Sequence, residues 1–293
     1  MDYESQKKQE LDLIVQRLLN DRSKPGSERI KALNNLQLTA LNDVGYILTE
    51  LLKTECDNDV IVYVCNSLAK TKETSAVPVL IELIMGNRDI SCCNQSDPVT
   101  DKKEEFLQAR CAAVKTLGKI GDQSAVLSLM YVLNDKSEHY KLRLNIAEAL
   151  GRIGDGYAVN PLINVLSDEK EKSVYVRESA AKALGMLGDV RAIKPLVKIL
   201  QSKRGIKDKF TFLKERVIEA ISKMPAERDL ETLSALKESL SDESASVRLS
   251  AIEAIVAMED PDFITYLSPS VFDNEEEEVA REAVRAIYDL NGK

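Results

Sequence analysis

Apolar residues recur along this chain at the spacing of a helix that buries one side. In the segment 176–187, the apolar or small residues are Val176, Ala180, Ala183, Leu184 and Leu187. This spacing is typical of an amphipathic helix. Gly188 and Asp189 follow it. Glycine favours a helix C-terminus, and aspartate caps the start of the next helix. The pattern therefore predicts a helix, a tight turn and a second helix.

The same unit recurs through most of the sequence. Copies that start at Arg110, Arg143 and Arg177 align without gaps, at spacings of 33 and 34 residues. Weaker copies start at Val60, Arg248 and Val279, and another centres on Lys214. One helix pair cannot cover its own apolar stripe, so stacked neighbours have to cover it. The sequence predicts an all-α fold, a right-handed α-solenoid of about eight helix pairs.

The repeats also predict where the individual helices lie. Helices that carry the arginine position are expected at 26–36, 58–71, 104–119, 138–152, 173–187, 207–224, 244–257 and 275–290. The helices before them are expected at 4–20, 40–53, 75–86, 123–134, 157–167, 190–202, 228–240 and 261–268. Gly118, Gly151 and Gly185 fall inside helices, where glycine costs about 0.5–1 kcal/mol relative to alanine. Three glycines at one repeat position indicate a close approach of helices.

The pattern shared by these copies, D…VR..AA.ALG.IGD..A…L…L, resembles the HEAT-like repeats of the phycobilin lyase (PBS lyase) type. Residues 104–203 match it closely, 56–86 and 207–290 more loosely, and 1–55 hardly at all. We therefore expect a single repeat domain over 1–293. Its expected parts are divergent N-terminal capping repeats at 1–55, the best-matching repeats at 56–203 with an insertion at 86–103, and divergent C-terminal repeats with a cap at 204–293.

This resemblance implies a ladder of charged residues between repeats, in which a turn aspartate pairs with the arginine of the following helix. The matching arginines are Arg110, Arg143, Arg177 and Arg248, and the matching aspartates are Asp135, Asp168 and Asp242. Lys214, Ile61 and Ala280 depart from the arginine position. The ladder is therefore expected to break near both ends and at the sixth repeat.

Proteins with this pattern include bilin lyase subunits, phycobilisome-degradation proteins, a di-iron deoxyhypusine hydroxylase and scaffolds, so the motif specifies fold better than function. The di-iron relatives bind metal through several His-Glu pairs, but this chain has one histidine, His139. The adjacent Cys92 and Cys93 lack further ligands at zinc-site spacing. We expect no catalytic centre, no metal and no cofactor, although a bilin stays open as a ligand.

Composition and charge limit the classes of partner and the cellular location that the sequence predicts. The formal net charge of −8 argues against nucleic acid as the main partner. No apolar run reaches membrane-spanning length, and the N-terminal sequence does not have the pattern of a signal peptide. Five cysteines without framework spacing favour reduced thiols. These features predict a cytoplasmic protein.

The resemblance implies that the arginine-bearing helices line a concave groove. Positions one, four or five, and eight or nine after the arginine should then point outward. The candidate binding residues are Lys119, Tyr140, Arg152, Tyr157, Tyr175, Lys182, Met186, Lys207 and Phe210. Lys207 and Phe210 belong to a basic, aromatic-containing segment at about 202–216. This segment is either a docking site for an acidic partner or a solvated helix start with core phenylalanines.

Three functions remain open at this point. The first is a non-enzymatic scaffold or adaptor that binds another protein in the concave groove. The second is a bilin lyase or bilin-chaperone component that acts on a phycobiliprotein subunit, which the resemblance alone suggests. The third is a nucleic-acid-binding array, which requires a positive groove.

Overall fold

The computed structural model describes residues 24–38, 44–86, 106–202, 211–224 and 230–258, together with residues 13 and 285. Within these ranges the chain forms thirteen α-helices and no β-strand. They are α1 Gly26–Leu38, α2 Val44–Thr54, α3 Asn58–Thr71, α4 Val77–Met85, α5 Leu107–Ile120, α6 Val126–Asn134, α7 Tyr140–Ile153, α8 Val159–Ser167, α9 Val174–Leu187, α10 Ile193–Leu200, α11 Thr211–Ser222, α12 Leu230–Ser239 and α13 Ala245–Ala257.

The chain divides into two compact units, Met1–Ala149 and Leu150–Lys293. In the first unit, odd-numbered helices pack on one another in the order α1, α3 and α5, and even-numbered helices do so in the order α2, α4 and α6. The second unit repeats this arrangement with α9, α11 and α13 in one layer and α8, α10 and α12 in the other. The predicted fold class, an all-α stack of helix pairs, is confirmed within each unit. A single domain over 1–293 stays a prediction.

The helices α6, α8 and α10 begin two or three residues later than the sequence pattern predicts. A short 3-10 turn precedes α6, α8 and α10, at Gln123–Ala125, Gly156–Ala158 and Val190–Ala192. In each case an aspartate carboxylate accepts a hydrogen bond from the backbone N–H two residues later; these aspartates are Asp122, Asp155 and Asp189. Aspartate therefore caps the entry turn as expected, and the α-helix starts only after that turn.

Glycine ends three of the odd-numbered helices in a left-handed conformation. The φ angles are 79° at Gly121, 80° at Gly154 and 63° at Gly188. The backbone N–H of each glycine donates to the carbonyl of a leucine four residues earlier. This is the predicted helix stop. The helices predicted at 4–20, 261–268 and 275–290 lie outside the described residues.

None of the described helices has both the length and the apolarity that crossing a bilayer requires.

The interior glycines mark direct backbone contacts between odd-numbered helices. A Cβ atom built on Gly185 would lie 2.7 Å from the Cα of Ala220. The corresponding distance is 2.8 Å from Gly151 to Ala183, and 2.9 Å from Gly118 to Ala149. Real Cβ atoms do not approach a main-chain carbon this closely, so any side chain would force the helices apart. The close approach that the sequence indicated is therefore present.

Arginines of the odd-numbered helices extend back to the ends of the preceding even-numbered helices. Arg143 donates from Nε to the carbonyl of Leu133, and Arg177 donates from Nε to the carbonyl of Leu166, both at 2.9 Å. These carbonyls lie in the last turn of a helix, where no intrahelical N–H is available. Each arginine thus satisfies main-chain acceptors and fastens one helix to the next.

Arg110 makes the most extensive of these connections. Its guanidinium donates to both carboxylate oxygens of Glu138 at 2.9 Å and to the carbonyl of Ile84 at 2.7 and 3.1 Å. The Arg110 side chain is 2% exposed and that of Glu138 is 5% exposed. A second buried ion pair joins Arg29 to Glu55. The sequence pattern indicated neither carboxylate.

The aspartates assigned to the ladder use part of their carboxylates locally. The Oδ1 atoms of Asp135, Asp168 and Asp242 each accept from the backbone N–H two residues later. Asp242 also pairs with Lys214. The expected break at the sixth repeat is therefore wrong, because a lysine side chain at the arginine position still reaches the turn aspartate.

We expect Gly185→Ala to lower the free energy of unfolding by about 1–3 kcal/mol, the usual cost of overpacking. Without the contact to Ala220, the same change inside a helix would be stabilising by about 0.5–1 kcal/mol, so the sign of the effect is diagnostic. Urea denaturation provides the measurement. Gly156→Ala is the control, because its nearest neighbour would be Nη2 of Arg191 at 3.7 Å. Equal stability of the two variants would contradict the close contact.

Arg110→Met should cost about 3–5 kcal/mol, because it removes the partner of a buried carboxylate. Pairing this change with Glu138→Leu should recover part of the loss, since the uncompensated charge is then removed as well. Lys223→Met serves as the control. Lys223 pairs with Glu219 but is 51% exposed, and exposed pairs contribute about 1 kcal/mol or less. A loss for Arg110→Met no larger than that of the control would show that the buried pair contributes little.

Candidate functional site

One face of each odd-numbered helix is not covered by its neighbours. This face is formed by four residues of each repeat. One lies two residues before the arginine position, and the others lie one, five and nine residues after it. We call these residues the exposed stripe, and all of them are exposed or half-buried. In the first unit the stripe of α5 is Gln108, Cys111, Lys115 and Lys119. In the second unit it comprises Tyr175, Glu178, Lys182 and Met186 on α9, and Phe212, Glu215, Glu219 and Lys223 on α11.

The structure places several predicted binding residues on this stripe. Tyr175 is 58% exposed and Met186 is 42% exposed, with Lys182 between them. Tyr175 and Met186 lie eleven residues apart on α9, which corresponds to about 16 Å along the helix axis. They therefore mark the two ends of an elongated surface on α9.

Other candidates lie elsewhere. Tyr157 is 78% exposed, but it belongs to the turn between α7 and α8 rather than to the stripe. Tyr140 opens α7, and its ring stacks on that of His139 at 4.7 Å. His139 Nδ1 accepts from the backbone N–H of Lys141, which is a helix-capping contact. Tyr157 follows the C-terminus of its odd-numbered helix, whereas Tyr175 lies at the N-terminus of the next odd-numbered helix.

Phe212 is a surface residue that the sequence pattern left ambiguous. It is 62% exposed, so of the two alternatives for segment 202–216 the one with core phenylalanines is wrong at this position. Apolarity alone favours burial, but the position two before Lys214 on α11 faces outward. Lys207 and Phe210 lie outside the described residues, as do Cys92 and Cys93.

The carboxylates of α9 and α11 have different environments. Burial raises the pKa of Glu178. The nearby positive charge of Arg216 lowers this pKa in part, and the nearby negative charge of Glu215 raises it further. Hydrogen bonds from Lys223 and Arg216 lower the pKa of Glu219. Their donor atoms lie 2.6 and 2.7 Å from the Glu219 oxygens. Arg216 and Lys223 are thus engaged with Glu219, whereas neither Glu178 nor Glu215 forms a side-chain hydrogen bond or ion pair with any described residue.

A second exposed apolar pair lies on an even-numbered helix. Leu127 and Tyr131 of α6 are 72% and 69% exposed. The equivalent positions are Asn160 and Asn164 on α8, and Lys194 and Lys198 on α10. This pair is therefore a local feature of one repeat rather than part of a continuous surface.

One cysteine differs from the expectation that the thiols are reduced. Cys56 is disulfide-bonded, whereas Cys65 and Cys111 are free. The expectation of reduced thiols is wrong for Cys56, because sequence spacing does not reveal which cysteines meet in space. Burial raises the pKa of the Cys111 thiol, which disfavours its reactive thiolate. The described residues include no group of three or more potential metal ligands.

Family comparisons identify the repeats. The HEAT repeats family model matches residues 129–207 and 206–288, together more than half of the chain. The PBS lyase HEAT-like repeat model matches residues 109–135. No curated protein sequence matches the chain.

The chain is also similar, at low sequence identity, to several solved structures. One is human deoxyhypusine hydroxylase in complex with glycerol, which is 18% identical. The alignment covers 97% of this chain and 96% of the hydroxylase chain, with a TM-score of 0.37. The complex of CpcE and CpcF of phycocyanin lyase from Nostoc sp. PCC7120 is 17% identical, covers 83% and 94%, and has a TM-score of 0.48. A designed armadillo repeat protein in complex with the peptide (KR)4 is 18% identical, covers 88% and 97%, and has a TM-score of 0.39.

With identities below 20% and TM-scores below 0.5, these three resemblances carry no argument about this chain. The assignment rests instead on the match of the HEAT repeats model to residues 129–288. The stacked helix pairs in both units agree with it. The chain therefore belongs to the HEAT repeat family.

Proposed function

We propose that this protein is a non-enzymatic scaffold or adaptor that binds another protein through the exposed stripe of its odd-numbered helices. The observation that carries this proposal is the exposure of Tyr175, Met186 and Phe212 on α9 and α11 of the second unit. Aromatic residues and methionine are enriched at protein interfaces. They stand among half-buried charged residues, which fits the polar rim that surrounds interface hot spots.

The charges on this surface also indicate which class of partner it binds. The stripes of α9 and α11 carry three glutamates and two lysines, and Arg216 adds a third cation beside them. Nucleic-acid binding needs a clustered positive surface, and this balanced face does not supply one. A protein partner therefore fits the α9 and α11 face better than nucleic acid does.

In this proposal, the arginines at the repeat position have a structural role. Arg110, Arg143 and Arg177 spend their donors on main-chain carbonyls and carboxylates within the protein. A repeat-wide feature that satisfies neighbouring helices serves stacking. The partner is therefore expected to contact the stripe and not the arginine positions.

Tyr175→Ser should abolish or strongly weaken capture of the partner, because loss of an interface hot spot costs about 2 kcal/mol or more. Affinity purification with mass spectrometry, performed on tagged variants in parallel, provides the measurement. Tyr131→Ser on α6 is the matched control, because it removes the same side chain from a comparably exposed site on an even-numbered helix. Circular dichroism checks that both variants are folded.

A protein recovered with the wild type and the Tyr131→Ser variant, but lost with Tyr175→Ser, would support the stripe as the binding surface. Equal recovery with both variants would contradict it. Failure of the folded wild-type protein to recover any specific partner would also contradict it.

The match of residues 109–135 to PBS lyase HEAT-like repeats favours a second candidate, the binding of a bilin for transfer to a phycobiliprotein subunit. Exposed Lys115 and Lys119 of α5 lie within this segment and present cations to the propionates of a tetrapyrrole.

For this candidate, a free bilin mixed with the protein should show a shifted visible absorption band. Lys119→Glu should weaken the titrated affinity several-fold, because it replaces attraction for a propionate with repulsion. Lys136→Glu, in the turn after α6, is the charge-matched control. An unchanged bilin spectrum on mixing would exclude this candidate.

A further inference from the structure

The helices α9 and α11 repeat one surface pattern in register. Two positions before the arginine position each helix exposes an aromatic ring, Tyr175 on α9 and Phe212 on α11. One position after it each carries a half-buried glutamate, Glu178 or Glu215. The adjacent odd-numbered helix α13 carries Ser246 and Leu249 at these positions. The aromatic-x-x-Glu pattern therefore distinguishes α9 and α11 from this neighbour.

Each aromatic residue and its glutamate lie three residues apart, on the same side of the helix. Glu178 lies close enough to Glu215 and Arg216 for their charges to affect its ionisation. Arg216 donates to Glu219 at 2.7 Å, which leaves the carboxylates of Glu178 and Glu215 without a hydrogen bond or ion pair to any described residue. The two helices thus present two rings beside two carboxylates that form no hydrogen bond or ion pair with any described residue.

This combination is complementary to basic side chains. A guanidinium or ammonium group can pair with a carboxylate while it lies over an aromatic face, and cation–π contact adds about 0.5–1 kcal/mol at exposed sites. Burial raises the pKa of Glu178, so a cation that docks there also relieves the unfavourable environment of this carboxylate. Although the charges of the α9 and α11 face balance as a whole, Arg216 and Lys223 bind Glu219, so at Glu178 and Glu215 charge complementarity favours a basic side chain over an acidic one.

The distance between the helices indicates the conformation of that segment. Packed helices lie about 8–10 Å apart, and the contact of Gly185 with Ala220 holds α9 and α11 close together. In a polyproline II helix, residues three apart are separated by about 9 Å. In a β-strand, residues on one face are separated by about 7 Å. The general separation of packed helices is thus closer to the polyproline II period than to the repeat of a β-strand.

We propose that the face formed by Tyr175, Glu178, Phe212 and Glu215 binds an extended, polyproline II-like segment of a partner protein that carries basic residues at every third position. Each basic side chain pairs with one glutamate and contacts the ring on the same helix. Prolines between them lie against the aromatic rings, as in other recognition of polyproline II segments. This inference rests on the proposed scaffold function. It adds the chemical nature of the partner segment that binds the α9 and α11 part of the exposed stripe.

The test uses synthetic peptides and the full-length protein. The probe is a labelled twelve-residue peptide of repeating Pro-Pro-Arg, and fluorescence anisotropy measures its dissociation constant. One control peptide has the same composition with its arginines adjacent, and another replaces arginine with glutamate. We expect the repeating peptide to bind, the isomer to bind at least several-fold more weakly, and the acidic peptide not to bind.

Glu178→Gln combined with Glu215→Gln should weaken binding of the repeating peptide roughly tenfold or more, since both charge-assisted contacts are lost. The control combines Glu238→Gln with Glu243→Gln, which makes the same change in net charge at exposed glutamates outside this face. That control should stay within about twofold of the wild type, because a distant surface charge is largely screened at physiological salt.

Three results would overturn the inference. They are failure of the folded wild type to bind the repeating peptide, equal binding of the isomer, and equal affinity of the Glu178→Gln and Glu215→Gln double variant. The capture experiment separates this failure from that of the scaffold function. A partner that is lost with Tyr175→Ser but retained by the glutamine double variant would leave the scaffold function standing and reject the basic segment.

Discussion

Direct contact between helix backbones is the constraint on which the rest of this structure depends. Gly118, Gly151 and Gly185 each leave room for the main chain of an alanine on the next odd-numbered helix. These contacts fix the separation of adjacent helices, and thereby the separation of equivalent surface residues. The proposed match between the α9 and α11 face and a polyproline II segment follows from this spacing, so stability and recognition depend on the same small residues.

Burial divides the charged residues into two groups with different tasks. Arg110 and Arg29 form ion pairs with buried glutamates, and Arg143 and Arg177 satisfy helix-terminal carbonyls. These side chains are occupied within the fold. The stripe carries charges that are more exposed and are spaced by the helical repeat. A surface substitution there is expected to change binding with little effect on stability, whereas substitution of a buried arginine should do the reverse.

The sequence predicted the repeating parts of this molecule and missed the parts that do not repeat. Helix α3 occurs at the predicted residues 58–71, and the interior glycines make the close contacts that their repetition indicated. The pairs of Arg29 with Glu55 and of Arg110 with Glu138 use glutamates, whereas the repeat pattern marks aspartates, so the pattern did not indicate them. Phe212 was ambiguous because apolarity does not distinguish a buried position from an exposed one. The disulfide of Cys56 depends on proximity in space, which residue spacing does not reveal.

The backbone contacts between odd-numbered helices tolerate different lengths of intervening chain. Gly118 and Ala149 lie thirty-one positions apart in the sequence, and Gly185 and Ala220 lie thirty-five apart, yet both pairs make a similarly close contact. Extra residues are thus accommodated between helices without altering how the helices meet. Evolution can lengthen or replace a connecting segment, and so acquire new specificity, while the stacked repeats keep their geometry.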